Sequence, residues 1–269
     1  MGDVLLTGAA GGVARMIRPL LLRRYGRLVL SDRAAPQDVA DGEAFRAADL
    51  RDASQVAAML QGIDRVIHLG GQSVEADWET VRQANIDGLQ TFFEGCRAAR
   101  VSRVVFASSV HVVGFYGRNR RIGVQDPVRP DGLYGVSKAF GEAMAALYAD
   151  KHGLQCLSIR IGNVHPRPLD RRRLSIWLHP EDLVQLCAIG LEHPAIHNQV
   201  VFGMSGNARA WWDNAPAYAL GYRPAHDAED HAEYALAHDA PADPVGDLFQ
   251  GGTFCSDGFD GDTERSLWA

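Results

Sequence analysis

The sequence predicts an α/β protein built on a doubly wound parallel sheet, and three observations carry that prediction. Short apolar runs alternate with amphipathic stretches as far as about residue 165. The first run leads through a glycine turn into a helix, and the second stops at an acidic residue. At 269 residues and 46% hydrophobic, the chain can bury one full core or a core and a half.

The elements follow in order. Residues 4–7, Val-Leu-Leu-Thr, read as a buried strand. The turn Gly8-Ala9-Ala10-Gly11-Gly12-Val13-Ala14 then opens an apolar, Arg-rich helix running to about Arg24. Strand, glycine turn and helix are the context of a dinucleotide fingerprint, spaced here as Gly-x-x-Gly-x-x-Ala. Glycine lets the backbone approach a pyrophosphate, and the helix N-terminus favours its charge. Ala14 in the third position still permits close helix packing.

The second strand, residues 28–31, ends at Asp32, where a carboxylate accepts from both hydroxyls of an adenosine ribose and repels a 2′-phosphate. That favours NAD over NADP, although Arg33 next door is a residue that pairs with a 2′-phosphate. Two readings of Asp49 stand: with Leu50 it meets the adenine, or it caps a helix from Asp52 onward. Residues 66–69 form a fourth strand whose end, Leu69-Gly70-Gly71, turns near the cofactor.

The chemistry is written further along. Ser109 lies 25 residues before Tyr134, and Tyr134 and Lys138 are four apart, on one face of a helix that Gly153 ends. An ammonium beside a phenol favours the phenolate, and a Tyr of pKa ~10 needs that help to act as a base. A phenolate, a cation and a hydroxyl donor suit removal of an alcohol proton as hydride leaves carbon. Asn85 closes the set. The strand of residues 157–161 follows and brings Ile161 to the cofactor.

Composition excludes several classes. The net charge of −6 gives no basic footprint for nucleic acid or an anionic membrane. No window approaches the ~18 apolar residues of a membrane span, and an immediate first strand leaves no room for a signal peptide. Cys96, Cys156, Cys187 and Cys255 are far apart and read as reduced, buried thiols of a cytoplasmic protein.

Residues 1–165 thus form a nucleotide-binding domain, and residues 166–269 a smaller substrate-binding lid. In the latter, residues 183–191 read as a helix, 200–202 as a short strand, and 225–247 as at most one polar helix. His226, His231 and His238 share no helical face and His179 has no partner cluster, so no metal is expected. Trp211-Trp212-Asp213-Asn214 reads as a pinned loop or a substrate wall.

These motifs are those of a family. On Gly8-x-x-Gly11, Asp32, Asp49-Leu50, Asn85, Ser109 and Tyr134-x-x-x-Lys138 the chain resembles extended short-chain dehydrogenases/reductases, the NAD-dependent epimerase/dehydratase type. Within them it is similar to the uronate dehydrogenases along nearly its whole length. The stretches are His68-Leu69-Gly70-Gly71-x-Ser73-Val74-Glu75, Ser108-Ser109-x-His111, Arg129-Pro130-Asp131-Gly132-Leu133-Tyr134, Arg172-x-Leu174-Ser175-x-Trp177, Trp211-Trp212-Asp213-Asn214 and Gln250-Gly251-Gly252-Thr253-Phe254. The resemblance implies NAD-dependent oxidation of the anomeric carbon of galacturonate or glucuronate to an aldaric acid lactone. It implies that Ser73, Ser109, His111, Tyr134 and Arg172 contact the sugar acid and that Phe254 closes the pocket. It further implies a homo-oligomer.

Two positions depart from the family pattern. Val110 stands where it has Asn, and Asn163 where it has Ser after Arg-Ile-Gly. A polar ligand group facing Val110 would lose its partner, at a cost of ~1–3 kcal/mol. Either Asn163 restores that partner across the pocket, or the two changes mark a shifted substrate. The rival functions are a C1 dehydrogenase of neutral or phosphorylated aldoses, a nucleotide-sugar epimerase or dehydratase, and a non-catalytic NAD sensor.

Overall fold

The computed structural model describes residues 3–268. Its elements run β1 (Asp3–Thr7), α1 (Gly12–Tyr25), β2 (Leu28–Asp32), β3 (Glu43–Ala47), α2 (Ala53–Met59) and β4 (Ile63–His68). Then come α3 (Trp78–Val81), a π-helical turn (Arg82–Asp87), α4 (Gly88–Ala99), β5 (Arg103–Ser109), α5 (Leu133–His152) and β6 (Gln155–Ile161). The remainder holds β7 (Asn163–Val164), α6 (Arg173–Ile176), β8 (Trp177–Leu178), α7 (Pro180–Glu192) and β9 (Asn198–Gly203). Four short helices follow, α8 (Ala215–Ala219), α9 (Ala232–Ala237), α10 (Thr253–Ser256) and α11 (Thr263–Trp268).

Seven strands form one parallel sheet in the order β3-β2-β1-β4-β5-β6-β9. The chain reverses direction across the sheet between β1 and β4, which opens a crevice at the carboxyl ends of those strands. Strand side chains alternate between faces, and both faces are buried. Val4 and Leu6 of β1 join a core with Ile17 and Leu21 of α1 and Leu183 and Leu186 of α7. Leu5 points the other way, into a second core with Val56, Phe92, Phe93 and Tyr148. That two-sided burial explains why these strands read as unbroken apolar runs.

The boundary expected at residue 165 does not follow the sheet. β9 pairs with β6, residues 156–161 against 198–203, and α7 packs on α1, so the chain beyond 165 completes the central sheet and one of its helical layers. Local signals hold where the physics is local. Gly26 takes φ 73° at the end of α1 and Gly153 φ 71° at the end of α5, the left-handed cap that favours glycine. Asp52, not Asp49, caps α2, accepting from the backbone N–H groups of Ser54 and Gln55. Among the described residues, no helix is long and apolar enough to cross a membrane.

Candidate active site

A cleft of about 540 Å³ lies at the carboxyl edge of the sheet. Its lining includes Gly8, Gly11, Gly12, Val13, Asp32, Arg33, Asp49, Leu50, Leu69, Gly70, Gly71, Ser73, Ser109, His111, Tyr134, Lys138, Ile161 and Asn163. One continuous space therefore joins the glycine turn to the Ser/Tyr/Lys set. Val110, Asn85, Arg172 and Phe254 do not line it.

The dinucleotide end is built from backbone. Gly8 has φ +68°, and a Cβ there would come 2.7 Å from the carbonyl carbon of Leu69. The turn thus lies against the end of β4, and only glycine meets both demands. Gly11 caps α1 with no side chain, and the first turn of that helix holds no acidic residue. Its N–H groups and positive end are left for an anion. Asp32 Oδ2 accepts from Ala10 N at 3.1 Å and Oδ1 from Arg33 N at 2.7 Å, which fixes the carboxylate beside the turn. Asp49 is paired with Arg51 at 2.6 Å, and that pairing holds its carboxyl down at about 2. These features fit a dinucleotide.

At the other end, β5 delivers Ser109 and α5 delivers Tyr134 and Lys138. The N-terminus of α5 is capped from outside its own segment. Gly132 has no side chain to offer, and Glu75 accepts from the N–H groups of Leu133 and Tyr134 at 2.9 and 3.0 Å. The loop carrying Ser73 is thereby tied to the residue that bears the phenol. Lys138 Nζ donates to the Ala107 carbonyl at 2.9 Å and lies 5.5 Å from the Tyr134 ring centroid.

The electrostatics depart from the sequence expectation. Burial pushes the Tyr134 phenol up to about 12, against the lowering effect of a hydrogen bond with Ser109, and burial pulls Lys138 down to about 8. Desolvation is the largest influence on both groups, and the Asp131 charge raises the phenol further.

Asn85 sits on the π-helical turn and is buried. Its Oδ1 accepts from Gln72 N at 2.7 Å, while Nδ2 donates to the Gln72 carbonyl at 3.0 Å and to Ser137 Oγ at 2.9 Å. The amide therefore locks the Gly70–Gly71 loop to α5. A Cβ on Gly71 would fall 2.5 Å from that Oδ1. A second cavity, of about 10 Å³, is lined by Gly70, Asn85, Ser137 and Lys138 among others.

Val110 requires a correction. The chain after β5 makes a 3-10 turn over Val110–Val113, which sends Val110, Val112 and Val113 into an apolar cluster with Ile176, Phe202 and Trp212. His111 lines the cleft instead, and Val110 does not. Asn163 does line the cleft, and its Oδ1 is buried without a partner.

Arg172 stands behind the segment of residues 250–254. Its Nε and one Nη donate to the carbonyl of Gln250 at 3.2 and 2.8 Å, and that same Nη to Gly251 at 2.8 Å. Burial, with Arg118 and Arg173 nearby, pulls its pKa down to about 10. The neighbours in its basic run are neutralised, Arg171 by Asp239 at 2.7 Å and Arg173 by Asp170. Phe254 stacks on His111 at 3.8 Å between centroids, closing over that ring.

Comparison with known proteins now bears on these positions. A family model described as the NAD dependent epimerase/dehydratase family matches residues 4–176. The chain belongs to that family. Uronate dehydrogenase of Pseudomonas syringae pv. tomato is 42% identical over 96% of this chain and 95% of that protein. The crystal structure of a uronate dehydrogenase variant from Agrobacterium tumefaciens complexed with NAD is 40% identical, with a TM-score of 0.91 over 95% of this chain and 97% of that one. NAD-dependent glucose-6-phosphate dehydrogenase of Haloferax volcanii is 35% identical over 82% of this chain and 92% of that protein.

Within this epimerase/dehydratase chain, sequence reasoning missed Glu75 and Ser137 as site-building groups. Each acts on a residue far along the chain or through its backbone. The reading that His179 lacks a partner cluster is also overturned. His179, Glu181 and His226 bring their ligand atoms within 4.8 Å of one another. The two imidazoles stack face to face at 3.5 Å, so their in-plane lone pairs run side by side and do not converge on one point.

Proposed function

We propose that the chain oxidises the anomeric carbon of a hexuronic acid, galacturonate or glucuronate, giving an aldaric acid lactone with NAD⁺ as the acceptor. The observation that carries the reading is that Ser109, Tyr134 and Lys138 line one end of the cleft whose other end is the glycine turn and Asp32. Gly8, Gly11, Gly12 and Val13 would hold the pyrophosphate, Asp32 and Arg33 the adenosine ribose, and Asp49 with Leu50 the adenine. Leu69, Gly70, Gly71 and Ile161 form the remaining walls.

Bound NAD⁺ supplies the hydride acceptor and a positive charge beside the phenol. Ser109 donates a hydrogen bond to the C1 oxygen of the sugar. Tyr134 takes the C1 hydroxyl proton as general base, held ready by Lys138. Lys138 Nζ, pinned to the Ala107 carbonyl, passes the proton toward the small cavity beside Asn85, which has room for about one water. Arg172 receives the carboxylate. Two of its donors are fixed on carbonyls, and among the described residues no carboxylate lies within salt-bridge distance of its guanidinium. Ser73, His111 and Asn163 address the sugar hydroxyls under the Phe254 ring.

The sugar-phosphate reading, raised by the Haloferax relative, needs several free cations near the substrate. Pairing of Arg171 and Arg173 with aspartates argues for a singly charged carboxylate. Tyr134→Phe tests the mechanism. NADH formation with galacturonate should vanish while NAD affinity stays within about twofold. Retained turnover with lost cofactor affinity would overturn the assignment.

A further inference from the structure

Asp131 has no part in the reading so far, yet it is the most completely enclosed carboxylate beside the sugar end of the cleft. Its side chain is 0% exposed, and Oδ2 lies 2.6 Å from His111 Nδ1. The space around it is made by missing side chains. A Cβ on Gly114 would fall 1.8 Å from Asp131 Oδ2, and one on Gly251 2.0 Å from it. Oδ1 has no hydrogen-bond partner. A carboxylate so placed is costly unless something is gained from it.

The chemistry of the contact decides what is gained. An ionised carboxylate only accepts, so Nδ1 of His111 must carry the proton. The stacked Phe254 ring at 3.8 Å fixes the imidazole plane, and the Asp131 bond fixes its rotation and tautomer. In the neutral imidazole the edge bearing Nε2 is then an acceptor. We propose that Asp131 is a positioning residue that presents His111 Nε2 to a sugar hydroxyl as a hydrogen-bond acceptor, and so helps select a polyhydroxylated substrate. This deepens the uronate reading and rests on it. The glycines at 114 and 251 are, on this account, the room the device requires.

A double-mutant cycle tests it, because a residue acting through His111 has no effect once the imidazole is gone. Asp131→Asn keeps the shape but can return the wrong tautomer. It should lower kcat/KM for the uronate about ten- to a hundredfold through KM, with KM for NAD unchanged. In a His111→Ala background the same change should cost less than about twofold. Equal losses in both backgrounds, together with a lower melting temperature, mean a merely structural carboxylate and overturn the proposal. Should Asp131→Asn fail to fold, ¹⁵N-histidine spectra of the wild-type holoenzyme, assigned with His111→Gln, decide it. Protonated Nδ1 supports the proposal, and the Nε2–H tautomer sinks it. Failure of the uronate reading is seen separately, as a wild-type protein that reduces no NAD with any uronate.

Discussion

The indole Nε1 of Trp212 donates to Gln250 Oε1 at 2.8 Å, and the carbonyl of that same glutamine receives the Arg172 guanidinium. The amide nitrogen of Gln250 is used as well, its Nε2 donating to the carbonyls of Gly117 and Arg120 at 3.1 and 2.8 Å. Two motifs 38 residues apart thus meet at one glutamine that also holds the Arg172 guanidinium. Trp212→Phe keeps a ring against Phe202, stacked at 5.0 Å, but removes the donor. It should raise KM for the uronate by about fivefold or more while KM for NAD stays unchanged, since a lost buried hydrogen bond costs about 1–3 kcal/mol. Steady-state kinetics in each substrate read the split.

On the proposed reading, Asp32 sets cofactor choice. Asp32→Ala removes the ribose acceptor and the bond from Ala10 N, and leaves Arg33 beside the vacated position. KM for NAD should rise about tenfold and the ratio of NADP to NAD turnover should increase. An unchanged ratio would place the ribose elsewhere.

Gly8 carries both a left-handed φ and a backbone neighbour. Gly8→Ala would put a methyl 2.7 Å from Leu69 C at φ +68°, so the turn must move. Destabilisation of about 1–3 kcal/mol is expected, with weakened NAD binding. Thermal unfolding with and without NAD checks both.

Lys138 is a buried cation whose pKa burial lowers to about 8. Lys138→Met removes the cost of keeping it charged near pH 7 and keeps the volume of its stem. The melting temperature should not fall, and turnover should drop by at least about a hundredfold. A destabilised, active variant would contradict the assigned role.

His68 gives the pH dependence. It is buried, its Nδ1 lies 2.8 Å from Thr7 Oγ1, it stacks on Phe92, and burial pulls its pKa down to about 3. Unfolded histidine titrates near 6.5, so between those values the unfolded chain binds more protons. Stability should therefore fall as pH drops below about 6.5, by at most about 1.4 kcal/mol per pH unit from this group. His68→Gln should flatten that limb in denaturant melts taken from pH 7 to pH 5.

Much of this was legible in the sequence. The strands 4–7, 28–31 and 66–69 announced themselves because both faces of a parallel sheet are buried, and Tyr134 with Lys138 because helical spacing is local. What was not legible depends on direction or on distant partners. A motif gives the order of Ser109, Val110 and His111 but not that a 3-10 turn sends the valine to the core. The run of arginines at 171–173 does not say which two meet aspartates. Asp131 and Glu75 act through close contacts with residues 20 and 59 positions away, where no period exists to read.

The central claim is a uronate oxidised at C1 with NAD, and one spectrophotometric assay meets it directly. The purified chain is mixed with NAD and, in turn, galacturonate, glucuronate, the matching neutral aldoses, glucose 6-phosphate and a nucleotide sugar. NADH absorbance should rise with the uronates, with kcat/KM at least about tenfold above that for the neutral sugars. Reduction with the neutral or phosphorylated sugars alone, and none with either uronate, would contradict it.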